Sequence, residues 1–154
     1  MSDPSARRTA PAEPAAPMAW ERPRRIHFAD CDPAGIVYFP QYLVMFNVLV
    51  EDFVTEALGI SYAALIAERR IGLPIVSLGC EFTAVSRLGD GVMLGVSVER
   101  IGGASLTLQF GCRAGTEWRV RSRQVLVATD LATHRARPIP PDLREALAAF
   151  APVP

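Results

Sequence analysis

The stretch HFADCDPAGIVYFPQY, residues 27–42, sets two carboxylates, Asp30 and Asp32, directly before a long apolar run. An aspartate at such a place can simply bond its own backbone or cap a helix. Asp32, however, opens Asp-Pro-Ala-Gly, a turn signal: Pro33 fixes its own φ and Gly35 permits φ > 0. Pro40 then suits the first turn of a helix, where a missing N–H costs nothing. The amides of that first turn have no intrahelical partner and carry partial positive charge. They stabilise an anion or a carbonyl becoming an oxyanion. A carboxylate, unpaired amides and apolar walls are the parts for attack on an activated carbonyl.

The elements that position these groups follow from the hydrophobic pattern. Arg24–Asp30 alternates and predicts a strand. The run QYLVMFNVLVEDFVTEALG, 41–59, predicts a helix that stops at Gly59. Its first half is apolar nearly all round, which predicts burial. Ser61 caps a shorter helix, YAALIAERR. Four strands follow: LPIVSLGCEFTAV, GVMLGVSVERI, ASLTLQFGCRA and EWRVRSRQVLVATD. The breaks at Gly89-Asp90-Gly91, Gly102-Gly103 and Gly115-Thr116 predict short hairpins and an antiparallel sheet. PPDLREALAAF predicts a terminal helix. The fold class is α+β: one antiparallel sheet wrapped around one very apolar helix. The apolar strands VMLGVSV and RQVLVAT predict that a further sheet face is covered by subunit association.

Composition narrows the chemistry. With 154 residues, half of them hydrophobic, the chain supports one domain with a real core. Residues 1–20, rich in Pro and Ala and without a signal-peptide apolar region, read as a disordered tail, leaving 21–154 as the domain. The formal net charge is zero, so no nucleic-acid or membrane partner is expected. Every basic residue is arginine, which excludes a Schiff-base or P-loop lysine. Cys31, Cys80 and Cys112 fit neither a disulfide framework nor a zinc motif, so a reducing, cytoplasmic setting is expected. Only His27 and His134 exist, which argues against a histidine metal site or a Ser-His-Asp triad. No metal or other cofactor is expected.

The motif DCDPAGIVYFPQY resembles the active-site signature of the hotdog-fold acyl-CoA thioesterases, and in particular the Pseudomonas-type 4-hydroxybenzoyl-CoA thioesterase family. The likeness covers about residues 24–150 and includes GLPIVS. It implies a hotdog fold, active sites at a subunit interface and a homotetramer built from dimers. It also implies hydrolysis of an aryl, benzoyl-type CoA thioester. By the same resemblance Asp32 matches the catalytic carboxylate, as nucleophile or general base, and Asp30 the structural one. Phe39 matches the aromatic whose backbone N–H polarises the thioester carbonyl. The more weakly similar YbgC-like branch carries a histidine there, so Phe39 favours aryl over short-chain substrates.

Gly35, Tyr38 and Pro40 stand within the motif as substrate-binding candidates. Asn47, the polar residue in the apolar half of the helix, is either a satisfied core amide or a contact for a polar ring substituent. The family position aligned with Asn47 is an aspartate, which sets a 4-hydroxy preference apart from an aryl preference. Ile75, Val76 and Ser77 are candidate pocket wall. The family's basic CoA cluster matches Gly102-Gly103-Ala104, which carry no charge, so Arg100, Arg69 and Arg70 stand in as CoA-binding candidates; an acyl carrier protein substrate would also fit. A non-catalytic acyl-CoA-binding module would keep the pocket but lose Asp32. A hotdog dehydratase would want a catalytic histidine, and neither histidine is placed for it.

Overall fold

The computed structural model describes residues 17–153. The chain forms β1 (Trp20–Arg25), a 3-10 turn (Phe28–Asp30) and α1 (Pro40–Asp52), which runs on into a π-type turn (Phe53–Ala57). Then come α2 (Tyr62–Ala67), β2 (Ile71–Gly72), β3 (Ile75–Phe82), β4 (Gly91–Ile101), β5 (Ser105–Ala114), β6 (Glu117–Val127), β7 (Thr129–Asp130), β8 (Arg135–Ala136) and α3 (Pro141–Ala148). Five strands make one antiparallel sheet in the order β1-β4-β5-β6-β3, and β2, β7 and β8 make a small second sheet. This is the α+β hotdog architecture that the motif implies.

Helix α1 lies on the inner face of the large sheet. Tyr42, Met45, Phe46, Leu49 and Val50 are buried against alternate residues of β4, β5 and β6, among them Val96, Leu108, Phe110 and Val120. Phe46 stacks on Phe110 with ring centroids 5.3 Å apart. Period 3.6 on the helix meets period 2 on the strands, so one apolar stripe faces one apolar surface. Ser61 caps α2 as expected, its hydroxyl accepting from the Ala64 N–H at 3.1 Å. On the outer face Gly111 leaves room for Trp118: a Cβ on Gly111 would run into the indole ring.

Several expectations are corrected. The first strand is Trp20–Arg25, not Arg24–Asp30, because β4 begins at Gly91, the partner of Arg25. The fold therefore includes Trp20, which the sequence assigned to the tail; residues 1–16 lie outside the described residues. The Gly89-Asp90-Gly91 break is no hairpin. β3 pairs with β6 rather than β4, so segment 83–90 crosses the end of the sheet. Helix α1 is not buried all round, since Val44, Asn47 and Val48 are exposed. The fully buried apolar residues of β4 and β6 face inward, Trp118 and Val125 of β6 are half-buried on the outer face, and the exposed apolar strand is β3, with Ile75, Val76, Leu78 and Phe82 open to solvent.

Phe46 is fully buried at the centre of this packing. Phe46→Ala is expected to cost about 3–5 kcal/mol, read as a lower urea midpoint with the fold retained.

Candidate active site

The acidic loop is a tight hairpin hung on the 83–90 crossing. Cys31 bridges Val37 and Ile36 bridges Arg87. The Val37 N–H donates to the Ser86 carbonyl at 2.9 Å and the Leu88 N–H to the Gly35 carbonyl at 3.0 Å. Within the loop the Gly35 N–H closes a turn on the Asp32 carbonyl at 3.0 Å. Gly35 has φ +75°, a conformation glycine adopts without steric cost.

Asp30 is buried, 6% exposed. Its carboxylate accepts from Arg24 Nη2 at 2.8 Å and from the His27 N–H at 2.8 Å. Its carbonyl accepts from the Tyr38 N–H at 2.9 Å. This one residue thus joins β1, the 3-10 turn and the start of α1, which is the structural part the motif gave it. At the helix start the Gln41 N–H bonds the Tyr38 carbonyl at 2.8 Å, the Tyr42 N–H bonds the Phe39 carbonyl at 3.2 Å, and Pro40 has no N–H. Among the described residues the Phe39 N–H has no hydrogen-bond partner. It is a main-chain donor at the positive end of a thirteen-residue helix.

Asp32 lies in a cavity of about 300 Å³, together with Ala29, Cys31, Pro33, Tyr38 and Gln41. One carboxylate oxygen, Oδ1, accepts from the Ala34 N–H at 2.8 Å. That bond braces the loop and fixes the carboxyl's rotation. It leaves Oδ2 without a partner among the described residues. Partial burial, reinforced by Asp30 and Asp32, pushes the Cys31 thiol above its ordinary value, so the thiolate needed for nucleophilic attack is scarce at neutral pH. Burial likewise raises the Tyr42 phenol, which therefore stays neutral. Among the described residues no group of histidines, cysteines and carboxylates could hold a metal ion.

Aromatic rings build the wall beside this junction. Tyr38 meets Phe39 edge-on at 5.5 Å, Phe39 meets Phe82 at 6.0 Å and Tyr42 meets Phe82 at 6.0 Å. Phe39 is 56% and Phe82 49% exposed, so the wall is open on one side.

The structure gathers some of the candidates and disperses others. Asp32 and Tyr38 share the cavity; Phe39 and Pro40 open α1 next to Tyr38 in the chain, while Gly35 lies in the turn that bonds the 83–90 crossing and does not line the cavity. Asn47 projects from the exposed flank of α1 further along. On β3 a bulge at Val76 shifts the register, pairing Ile75 with Leu126 and Ser77 with Val125. Ile75 therefore faces inward and Ser77 the outer face, away from the helix. The arginines do not meet the cavity within one chain. Arg69 is held by Asp142 through two bonds, at 2.8 and 3.0 Å. Arg70 has φ 55° beyond α2. Arg100 sits nine residues up β4 from the end carrying the acidic loop, roughly 30 Å at the rise of a strand. Sequence reasoning missed Gln41, Arg24 and the Ser86 carbonyl. Gln41 carried a signal, a polar residue opening an apolar helix; Arg24 meets Asp30 only because the chain turns back over six residues, and the Ser86 carbonyl depends on a long-range contact.

Known proteins place the chain. Residues 26–147 match the model of the Thioesterase-like superfamily, and the chain belongs to that family. It is 35% identical over 68 residues to a 4-hydroxybenzoyl-CoA thioesterase of Pseudomonas sp. (strain CBS-3), a match covering 44% of this chain and 48% of the relative. The chain thus spans about half the length of that curated relative. It is 20% identical over 124 residues to the acyl-CoA thioesterase YbgC of Haemophilus influenzae, covering 80% of this chain and 90% of the relative. Among solved structures it superposes on a gentisyl-coenzyme A thioesterase with a TM-score of 0.76 and 28% identity, covering 83% of this chain and 99% of the other.

The Asp30 clamp gives a direct test. Arg24→Ala leaves a buried carboxylate short of its charged partner, and is expected to cost about 1–3 kcal/mol. Thermal melts should show the loss, and Arg24→Lys should recover part of it.

Proposed function

We propose that the protein hydrolyses an aryl, benzoyl-type CoA thioester to the free acid and CoA. The observation that carries this reading is the unbonded Phe39 N–H opening α1, set in the chain between Tyr38 and Gln41, which line one cavity with Asp32. The thioester carbonyl oxygen rests on the Phe39 amide, with the helix dipole behind it. One such donor contributes roughly 3–4 kcal/mol to lowering the barrier. Asp32 supplies the second component, as nucleophile or as general base toward water. Thiolate is a good leaving group, so no lysine or histidine acid is required.

Aromatic walls from Tyr38, Phe39 and Phe82 support an aryl acyl group, because offset and edge-on ring contacts add to plain burial. The names of the aryl-CoA relatives point the same way. Asn47 is the candidate contact for a polar ring substituent. CoA phosphates would meet free arginines such as Arg70 or Arg100, supplied across a subunit boundary given their distance from the cavity in one chain.

That boundary is argued from the two sheet edges. β1 carries Pro23 with Arg22, Arg24 and Arg25, the features that keep an edge strand unpaired. β3 has neither proline nor charge from Ile75 to Cys80, and Val76 is 61% exposed. With Ile75, Leu78 and Phe82 also open to solvent, β3 forms one apolar edge surface. We assign this surface to a second copy of the chain, whose arrival closes the open side of the aromatic wall; two such dimers make the tetramer the family resemblance implies.

Thiol release from benzoyl, phenylacetyl, short-chain and long-chain CoA esters is expected to be fastest with benzoyl. Asp32→Asn should lose at least about 10²–10⁴-fold in kcat with an unchanged melt; wild-type turnover in that variant removes Asp32 from the reaction. Release only from acyl carrier protein would move the carrier assignment. Separately, Val76→Asp should shift the sedimentation coefficient to that of a monomer and depress activity with it.

A further inference from the structure

We infer that the side-chain amide of Gln41 is a catalytic group that holds the attacking water against Asp32, so that water rather than the carboxylate reaches the acyl carbon. The inference rests on the thioesterase reading above and chooses between the two roles left open for Asp32.

Gln41 stands in the first turn of α1, two residues beyond Phe39, and its side chain lines the same cavity as Asp32. Its backbone N–H is spent on the Tyr38 carbonyl. Its side-chain amide makes no hydrogen bond among the described residues, so the carbonyl oxygen Oε1 is an acceptor with nothing to accept. Asp32 is in a similar position: the Ala34 N–H takes Oδ1 at 2.8 Å and Oδ2 is open. Two residues with an unengaged acceptor thus line one cavity, one on the loop and one on the helix. The other polar lining groups are the Cys31 thiol and the Tyr38 hydroxyl, and neither is a carboxylate or amide acceptor. The Cys31 thiol points to the His27 carbonyl at 3.5 Å, and the Tyr38 ring packs edge-on against Phe39.

A water molecule donates two hydrogen bonds. With one hydrogen on Asp32 Oδ2 and the other on Gln41 Oε1, both O–H directions are fixed and a lone pair remains for attack. Gln41 lies on the same helical turn as the amide that receives the thioester oxygen, so water and carbonyl are referenced to one rigid element. A tethered Asp32 suits this role better than direct attack, because a nucleophilic carboxylate would have to advance while held by Ala34. In the step itself the water oxygen bonds to the acyl carbon and its proton passes to Asp32 Oδ2. The carbonyl electron pair moves onto the oxygen at the Phe39 N–H. When that pair returns, the C–S bond breaks with its electrons on sulfur. The proton on Asp32 passes to the thiolate, giving carboxylic acid, thiol and the original carboxylate.

The test is steady-state and rapid-mixing kinetics of thiol release from benzoyl-CoA by the full chain and by Gln41→Leu and the near-isosteric Gln41→Met. Because Gln41 is partly exposed and makes no side-chain bond in the fold, both variants should melt as wild type does. Each is expected to lose about 10²-fold in kcat, with KM within about twofold of wild type and no stoichiometric burst of thiol. A kcat within about twofold of wild type, or a loss confined to KM, overturns the inference. So does a thiol burst in Gln41→Leu, which would mean that Asp32 itself displaces CoA and only the following hydrolysis is slowed. If the wild-type chain releases no thiol from any ester, the thioesterase reading fails first; an active wild type with indifferent Gln41 variants overturns this inference alone.

Discussion

Asp30 is bound at both of its ends. Its carboxylate is gripped by Arg24 from the edge strand and by the His27 amide, and its carbonyl takes the Tyr38 N–H. A buried carboxylate is costly without partners, and here the partners belong to three different elements. Satisfying that one residue fixes where the loop leaves the sheet, where α1 begins, and which amide at its start is left over. Tyr38's N–H is used, proline has none, and the next two bond backward, so the Phe39 N–H is the donor that remains. The polarising group proposed for the site is thus what backbone hydrogen bonding around Asp30 leaves unspent.

The rest of the sheet serves the same junction. Because β3 pairs with β6 and β4 lies on the far side of β5, the chain must cross the sheet end between residues 83 and 90. That crossing offers the Ser86 carbonyl and the Leu88 N–H to the acidic loop, and Arg119 holds the crossing through the Val85 carbonyl and Asp90. A plain four-strand meander would have left no such ledge. The same strand order puts β3 at an edge with its apolar inner residues only partly covered by α1.

Much of this was legible in the residues. The helix of Tyr42, Met45, Phe46 and Leu49, the Ser61 cap and the β4, β5 and β6 strands are written in local periodicity, which a single sequence displays. The Asp-Pro-Ala-Gly turn and the helix start after Phe39 are local too, and they carried the family resemblance. What escaped was non-local. Ile26, His27 and Phe28 alternate like a strand, yet the ladder ends at Arg25 because its partner begins at Gly91. Gly89-Asp90-Gly91 looks like a hairpin, and nothing in its own residues says which strands it joins. Asn47 among valines looks buried, but one flank of a helix laid on a five-stranded sheet has nothing above it.

One feature of the site is made of main chain rather than side chain. In the proposed mechanism the group at position 39 that stabilises the reaction's transient charge is a backbone amide, present whatever residue is encoded there except proline. The ring attached to it, half open to solvent, is therefore free to drift with the acyl group it must embrace. Recognition and rate enhancement are written into different atoms of one residue, so a lineage can retune its appetite without passing through an inert ancestor.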